Sequence, residues 1–322
     1  MIGFSSSILD KMEENYELNI PLQKRLMTQS LTKQTTLTPY SWEWQGYNTV
    51  YTVQGEGQPL LLIHGFGASI GHWRKNIPTL ADAGYQVFAL DLLGFGGSDK
   101  PALDYSVELW QQQLYDFWES HIQQPTVFVG NSIGGLLTLM MMSEYPAISA
   151  GGVLINCAGG LNHRPEELHF PLNVVMGTFT KLVSTPGIGE FVFNQVRRKS
   201  QIRNTLKQVY RDRAAVTEEL VDLLYHPSCD PGAQKVFASV LSAPPGPKPE
   251  ALLPQRQCPL LVLWGEDDPW TPIQGAKIYQ DLSDSDDNVE FYPIPKAGHC
   301  AHDEKPESVN ELILNWLSRI SA

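Results

Sequence analysis

The stretch Thr126-Val127-Phe128-Val129-Gly130-Asn131-Ser132-Ile133-Gly134 decides how this chain folds, because an apolar run leads directly into a serine flanked by glycines. The run predicts a buried strand, and the glycines at both sides of Ser132 allow a sharp turn with this serine at its tip. A strained turn of this kind is typical of functional sites. The spacing matches G-x-S-x-G, which arises by chance in roughly one such chain in seven, so the surrounding sequence has to decide its meaning.

The composition narrows the class of the protein. Its 322 residues are 42% hydrophobic and 18% charged, which predicts one large α/β domain, or a core with an insertion, and excludes disorder for most of the chain. The net charge of −12 argues against nucleic acid as a partner and against a purely electrostatic membrane anchor. The run Arg197-Arg198-Lys199, after the apolar stretch Phe191-Val192-Phe193, allows docking on an anionic surface, although a solvated helix face is the more ordinary interpretation.

Neither a metal site nor a membrane span is expected. The four cysteines are widely spaced and form no C-x-x-C pair: Cys157, Cys229, Cys258 and Cys300. No apolar run reaches the roughly 18 to 20 residues that a membrane-spanning helix needs. The start of the chain also lacks the basic end and apolar stretch of a signal peptide. We therefore expect a cytoplasmic or membrane-peripheral protein.

Strand and helix patterns alternate along most of the chain, which predicts a mostly parallel sheet flanked by helices. The predicted strands are the apolar runs at residues 60–63, 87–90, 126–129, 153–156, 260–263 and, at an edge, 289–292. Helices are predicted over residues 106–121, where Ser106 can cap the first turn, and over residues 133–144, directly after Ser132. The fold class is thus α/β.

The alternation is interrupted between residues 159 and 253. This stretch contains only helical patches, at residues 172–182, 188–196 and 216–224, and it is too long for a loop. It therefore predicts an inserted helical cap over the carboxyl edge of the sheet. The expected organisation is an arm over residues 1–38, partly helical or disordered, a core of residues 39–158 and 254–322, and a cap of residues 159–253.

A serine hydroxyl needs a base, an acid that orients the base, and donors for the oxyanion. His299, in Ala297-Gly298-His299-Cys300, is the candidate base, and Asp268, just after the strand at residues 260–263, is the candidate acid. The chain order Ser132, Asp268, His299 is that of α/β-hydrolases.

Other residues of the same types stay open as alternatives. Glu266 and Asp267 compete with Asp268 for the role of the acid. His302 competes with His299, although a helix cap or the surface is the place expected for it. Asn156, at the end of the preceding predicted strand, cannot serve as the acid.

The candidate oxyanion donors are the backbone N–H groups of Phe66 and Ile133. Phe66 lies in His64-Gly65-Phe66-Gly67, directly after a predicted strand, and Ile133 begins the helix that follows the serine. His64 is expected to hold this loop through hydrogen bonds. A second glycine-rich stretch, residues 91–98, lacks the G-x-G-x-x-G spacing of a dinucleotide loop.

On these residues the chain resembles the α/β-hydrolase superfamily from Trp42 onward, with an inserted helical cap. Within it, the chain is similar to the chlorophyll dephytylases of plant chloroplasts and cyanobacteria in Leu62-Ile63-His64-Gly65-Phe66-Gly67-Ala68-Ser69, His72-Trp73-Arg74, Asp91-Leu92-Leu93-Gly94-Phe95-Gly96, Gly130-Asn131-Ser132-Ile133-Gly134-Gly135 and Leu154-Ile155-Asn156-Cys157-Ala158-Gly159-Gly160. The resemblance implies a serine esterase that cleaves the phytyl ester of chlorophyll to chlorophyllide and phytol, without a cofactor. It also implies peripheral contact with thylakoid membranes or pigment–protein complexes. The acidic N-terminal segment does not resemble a transit peptide, so a cyanobacterial or otherwise unprocessed protein is expected.

The predicted cap has enough apolar residues to line a channel for the hydrophobic ester. The candidate substrate-binding residues are Phe170, Leu172, Met176, Phe179 and Leu182. Three alternatives remain open on the same scaffold: a C–C bond hydrolase of meta-cleavage products, a general esterase for hydrophobic esters, and a ligand receptor. The receptor would retain the catalytic triad of Ser132, Asp268 and His299.

Overall fold

The computed structural model describes residues 37–162, 172–185 and 187–320, and for residues 172–177 it describes the backbone alone. The predicted N-terminal arm therefore lies almost entirely outside the described residues. The strands of the described part are β1 (Tyr40–Trp44), β2 (Tyr47–Gln54), β3 (Gln58–Ile63), β4 (Tyr85–Leu90), β5 (Thr126–Asn131), β6 (Ser149–Ile155), β7 (Leu260–Gly265) and β8 (Val289–Ile294). They form one sheet in the order β1-β2-β4-β3-β5-β6-β7-β8.

Strands β3 to β8 run parallel to one another, which confirms the predicted α/β class. Their two faces are buried in different apolar clusters, because successive side chains of a strand point to opposite sides. Leu61 and Ile63 of β3 lie in one cluster, while Leu60 and Leu62 lie in the other. The short apolar runs of the sequence therefore correspond to strands that helices cover on both faces.

The hairpin of β1 and β2 was not predicted. Much of it is exposed, so no apolar run reveals it. Gln45 and Gly46 form its tight turn, with φ of 52° and 81°. Strand β2 pairs antiparallel with β4 and extends the sheet at the edge farthest from β8.

The helices of the described part are α1 (Ile77–Asp82), α2 (Val107–Phe117), α3 (Ile133–Glu144), α4 (Leu172–Ser184), α5 (Ile188–Val196), α6 (Lys199–Val209), α7 (Glu218–Ser228), α8 (Ala233–Ser242), α9 (Pro249–Leu252), α10 (Lys277–Ser283), α11 (Ala301–Glu304) and α12 (Pro306–Ile320). The hydroxyl of Ser106 caps α2 by accepting a hydrogen bond from the Leu109 N–H at 3.3 Å. Helix α3 begins directly after Ser132 and ends where the sequence predicted.

Helices α4 to α9 lie between β6 and β7, in the interruption of the strand and helix alternation. Part of this insertion has a small apolar core of its own, formed by Leu206, Val209, Tyr210, Leu220 and Val221. Helix α8 instead buries Val236 and Val240 in the main core beside the sheet. The insertion is therefore anchored on the main core through α8.

Candidate active site

Ser132 lies between β5 and α3, in a turn that forces its backbone to φ 57° and ψ −117°. A positive φ is costly for a residue with a Cβ and is retained mainly where it serves a site. Two residues further, a glycine is required at position 134, because a Cβ on Gly134 would lie 2.1 Å from the Ile63 carbonyl oxygen. The Ser132 N–H donates to the Ile155 carbonyl oxygen at 3.0 Å and ties the turn to β6. The predicted nucleophile thus occupies a strained turn at the carboxyl edge of the sheet.

Asp268 and His299 are in direct contact. Asp268 follows β7 and His299 follows β8, so parallel strands bring both residues to the edge of the sheet that carries Ser132. The His299 Nδ1 lies 2.7 Å from the Asp268 Oδ2, and both side chains are buried. This contact fixes the orientation of the imidazole and leaves its Nε2 for a second partner.

The carboxylate of Asp268 accepts several further hydrogen bonds. Asn156 Nδ2 donates to Oδ2 at 2.8 Å, and the Thr271 hydroxyl donates to the same oxygen. The backbone N–H groups of Trp270 and Thr271 donate to Oδ1 at 2.7 and 3.0 Å. Burial alone raises the pKa of Asp268, but the hydrogen bonds from His299 and Thr271 outweigh it and hold the pKa below its ordinary value. The acid is therefore ionised at neutral pH.

The competing carboxylates and the competing histidine lie elsewhere. Glu266 and Asp267 are exposed, and Asp267 pairs with Arg211 at 3.0 Å. His302 lies in α11 and is buried, with its ring centroid 4.2 Å from that of Trp73. The expectation of a cap or surface position for His302 was wrong, because the packing of α11 against Trp73 turns this ring inward.

The predicted oxyanion loop lies against the turn at Ser132. A Cβ placed on Gly65 would lie 3.2 Å from the Ser132 Cβ. His64 holds the loop as expected: its Nδ1 donates to the Gly65 carbonyl oxygen at 2.8 Å, and its Nε2 accepts from the Leu92 N–H at 3.1 Å. Burial lowers the pKa of His64 to about 4, so the ring stays neutral and keeps this acceptor.

The two candidate oxyanion donors lie in different elements. Ile133 is the first residue of α3, where N–H groups have no partner within the helix. Phe66 follows Gly65, and its ring packs against Phe95 and Phe237 at centroid distances of 5.6 and 5.9 Å. The Phe66 ring thus fixes the loop between the sheet and α8 of the insertion.

Asn131 connects the serine turn to the histidine loop. Its Nδ2 donates to the backbone oxygens of Ile155 and His299, at 3.1 and 2.9 Å. The His299 N–H in turn donates to the Val209 carbonyl oxygen of α6 at 2.9 Å. Within the described residues no hydrogen bond joins the Ser132 hydroxyl to His299, and such contacts often form only when substrate is bound.

An apolar cavity of about 150 Å³ adjoins this site. One wall is formed by Phe66 and Gly67 of the oxyanion loop, and cap helices supply Phe193, Leu224 and Phe237. Of the part of the chain that is described, the cavity lining reaches the oxyanion loop but not the side chains of the triad. The cavity is therefore placed to hold a hydrophobic group beside the oxyanion loop.

The cap residues selected from the sequence are not the ones that line this cavity. Phe170 lies outside the described residues, and for Leu172 and Met176 only the backbone is described, in α4. Phe179 is half-buried and Leu182 is 41% exposed, and neither is part of the cavity wall. A role for these five residues in binding substrate stays a prediction.

Sequence reasoning missed Phe193 and Leu224 as site residues. Both lie in helical patches that it identified, at residues 188–196 and 216–224. The apolar period of these patches was the available signal, but the period does not show which of two apolar faces turns toward a site.

The part of the chain that is described contains no group of three or more His, Cys, Asp or Glu side chains placed to hold a metal ion. In that part, no helix combines the length and the apolar character required to cross a membrane.

Known proteins resemble this chain in sequence and in structure. The chloroplastic pheophytinase of Arabidopsis thaliana is 28% identical over 303 residues, which cover 82% of this chain and 62% of that protein, less than two thirds of its length. The 2-hydroxy-6-oxo-6-(2'-aminophenyl)hexa-2,4-dienoic acid hydrolase of Metapseudomonas resinovorans is 30% identical over 283 residues, or 85% of this chain and 89% of that one. A serine hydrolase of carbazole degradation has a similar structure, with a TM-score of 0.70 and 26% identity, over 88% of this chain and 99% of its own.

The family comparison agrees with the fold. A model of the alpha/beta hydrolase family matches residues 60–312, from β3 to the last helix. This match covers most of the chain, which therefore belongs to the alpha/beta hydrolase family and is one of its hydrolases.

Proposed function

We propose that this protein is a serine esterase and that its substrate is the phytyl ester of chlorophyll or of a closely related pigment. The observation that carries the chemistry is the buried contact between His299 and Asp268, at 2.7 Å, beside a serine in a strained turn. A histidine oriented by an ionised carboxylate is the base that a serine hydroxyl requires.

The mechanism follows from the positions of these groups. Because Asp268 engages Nδ1, the His299 Nε2 takes the proton of Ser132 while the serine oxygen attacks the ester carbonyl. The N–H groups of Phe66 and Ile133 stabilise the oxyanion. The alcohol leaves with the proton from His299, and a water molecule, deprotonated by the same ring, hydrolyses the acyl-enzyme. The Asp268 carboxylate stabilises the imidazolium in both steps.

Two observations support a long hydrophobic ester. One relative of the chain is a pheophytinase, and the cavity beside the oxyanion loop is lined mainly by apolar side chains. The cavity volume of about 150 Å³ is below the roughly 300 to 1,000 Å³ of sites that enclose a drug-sized ligand. A phytyl chain would therefore be enclosed only in part, and the rest would extend past the cap.

Hydrolysis of a C–C bond in a meta-cleavage product is the second candidate. It is favoured by the relative from Metapseudomonas resinovorans, which is named as a dienoic acid hydrolase, and by a cation at the cavity. Arg197 lines the cavity and donates to Asn194 and to the Cys229 sulfur rather than to a carboxylate. Its guanidinium is therefore a candidate partner for the carboxylate of such a substrate.

The test compares kcat/KM of the purified protein for a pigment phytyl ester, a short p-nitrophenyl ester and a dienoic acid. We expect kcat/KM to be highest for the pigment ester. Multiple turnovers by each protein molecule would exclude a ligand receptor. Ser132→Ala should lower kcat on the order of 10⁴- to 10⁶-fold with an unchanged Tm. The control Ser143→Ala removes a buried serine hydroxyl of α3 and should retain activity. Preference for the dienoic acid would replace the ester by the second candidate, and turnover by Ser132→Ala would refute the assigned nucleophile.

A further inference from the structure

The outer side of α4 and α5 exposes an unusual amount of apolar surface. Among the described residues, seven large hydrophobic side chains are strongly exposed, and four of them lie within this helix pair. They are Leu182, Ile188, Phe191 and Val196, with exposed fractions of 41, 46, 65 and 39%. Grouped exposure of this kind marks an interaction surface more often than scattered exposure does.

Helix packing explains why Phe191, the most exposed of these side chains, points outward. Helix α8 lies on the inner side of the pair, where Phe193 of α5 contacts Phe237 at a ring distance of 5.2 Å. Gly189 also faces inward, because a Cβ there would lie 1.9 Å from the Val183 carbonyl oxygen of α4. Phe191 is two residues from Phe193, and about 100° of rotation per residue places it on the opposite side of the helix.

The same part of the chain is basic, in contrast to the rest of the protein. From Thr178 to Lys207 the sequence carries six lysines and arginines and one acid, Glu190, while the whole chain has a net charge of −12. Lys199 and Arg203 pair with Asp222 and Glu218 of α7.

Two of the six cations are exposed next to the apolar side chains, Lys181 and Arg198, and neither forms an ion pair within the described residues. We define the cap patch as Lys181, Leu182, Ile188, Phe191, Val196 and Arg198. Exposed apolar side chains with unpaired cations are the combination that binds an anionic lipid surface.

The cap patch is continuous with the cavity at the active site. Val196 is exposed at the patch and also lines the cavity, whose lining includes Phe66 and Gly67 of the oxyanion loop. We propose that the cap patch docks on an anionic lipid bilayer and that its edge at Val196 admits a membrane-dissolved substrate to the cavity. Repulsion of the acidic remainder of the chain from the same bilayer would keep this patch toward the lipid. The docking stands on the patch alone, whereas the delivery of substrate rests on the proposed ester hydrolysis.

The docking is tested by sedimentation of the full chain, as Ser132→Ala, with phosphatidylcholine vesicles that contain or lack phosphatidylglycerol. We expect binding to the anionic vesicles, with weaker binding at high salt. Arg198→Glu changes the charge of the patch by two units and should weaken vesicle binding about 25-fold, because each charge contributes about a factor of five. Phe191→Ser should weaken it about tenfold through lost apolar burial. Matched controls elsewhere, Lys277→Glu on α10 and Tyr40→Ser on β1, should bind as the parent does.

Three outcomes would overturn the docking: equal affinity for both kinds of vesicle, no binding to either, or equal losses in the patch and control variants. A dimer in solution that Phe191→Ser dissociates would show instead that the patch joins two copies of the chain.

The delivery is tested with the active chain. Phe191→Ser should lower kcat/KM for an ester dissolved in anionic vesicles about tenfold and leave the rate on a soluble short ester unchanged. Equal losses on both esters would overturn delivery. Vesicle binding without hydrolysis of either ester would support docking and refute the proposed function.

Discussion

The carboxylate of Asp268 is held more firmly than its role as a partner of one histidine requires. Besides His299 it accepts hydrogen bonds from Asn156, from the Thr271 hydroxyl and from two backbone N–H groups. Asn156 is itself constrained, with φ 47° at the end of β6, and its Oδ1 accepts from the Gly265 N–H at 3.1 Å. The asparagine therefore connects the ends of two strands and positions the acid.

Asn156→Ala should lower kcat about 10- to 100-fold with little change in KM, because a hydrogen bond to a charged group contributes about 1.5 to 3 kcal/mol. Loss of the donor should also raise the pKa of Asp268, because Asn156 donates to the charged form of this carboxyl group. The control Asn310→Ala removes a buried asparagine that bonds Asn76 and Lys75 away from the site. If both variants lost only stability, Asn156 would have no positioning role.

The sequence pointed to Ser132, Asp268 and His299 because their motifs are local and occur in a recognisable order. It did not show how Asn156 acts, since its contact with Asp268 joins residues 112 positions apart in the chain. The same limit explains His302, whose burial depends on Trp73 in a distant segment.

The helices of the insertion determine which side chains face the site. Helices α5, α7 and α8 each contribute to the cavity wall, whereas the residues predicted from α4 that are described do not. The patches at residues 172–182, 188–196 and 216–224 did become helices, with α4 and α7 extending a few residues further. The amphipathic pattern did not show how these helices pack around α8. It identifies the apolar face of a helix but not the element that this face contacts.

Leu224→Phe should fill part of the cavity and raise KM for a long hydrophobic ester about tenfold, since overpacking costs about 1 to 3 kcal/mol. The KM for a p-nitrophenyl acetate should change little, because a short acyl group does not reach the cavity. Leu182→Phe is the matched control, as this residue is exposed outside the cavity wall. A larger effect of Leu182→Phe would show that the channel predicted along α4 is the binding surface.

At the scale of the whole molecule, three histidines of the described part are buried away from the triad: His64, His72 and His302. Burial lowers the pKa of His64 and His72 to about 4 and that of His302 to about 3. The pKa of Asp91 changes in the opposite direction, because burial raises it to about 6. A histidine with a lowered pKa favours unfolding in acid, because the unfolded chain binds a proton that the folded chain does not.

His302→Phe should make stability less dependent on pH. Below its ordinary pKa of 6.5 and down to about pH 3, His302 lowers the free energy of unfolding by about 1.4 kcal/mol per pH unit. Between pH 6.5 and 5, the free energy of unfolding should therefore fall by about 2 kcal/mol less in the variant than in the wild type. Urea unfolding at several pH values measures this difference. His226→Phe, at an exposed position of α7, is the control and should leave the slope unchanged. An unchanged slope in His302→Phe would mean that the ring is protonated in the folded chain.

The resemblance to the α/β-hydrolase superfamily, stated from motifs, is confirmed by the family match and by the sheet. The class of fold and the serine at its turn followed from local patterns: apolar runs, two glycines and the order of three residues. Tertiary structure decided the rest. It placed Asp268 rather than Asp267 at His299, brought Asn156 into contact with Asp268, and formed a cavity wall from α5, α7 and α8. The physical reason is that a strand, a helix or a tight turn is specified by neighbours in the chain. A hydrogen-bonded acid or a cavity wall instead depends on residues that only packing brings together.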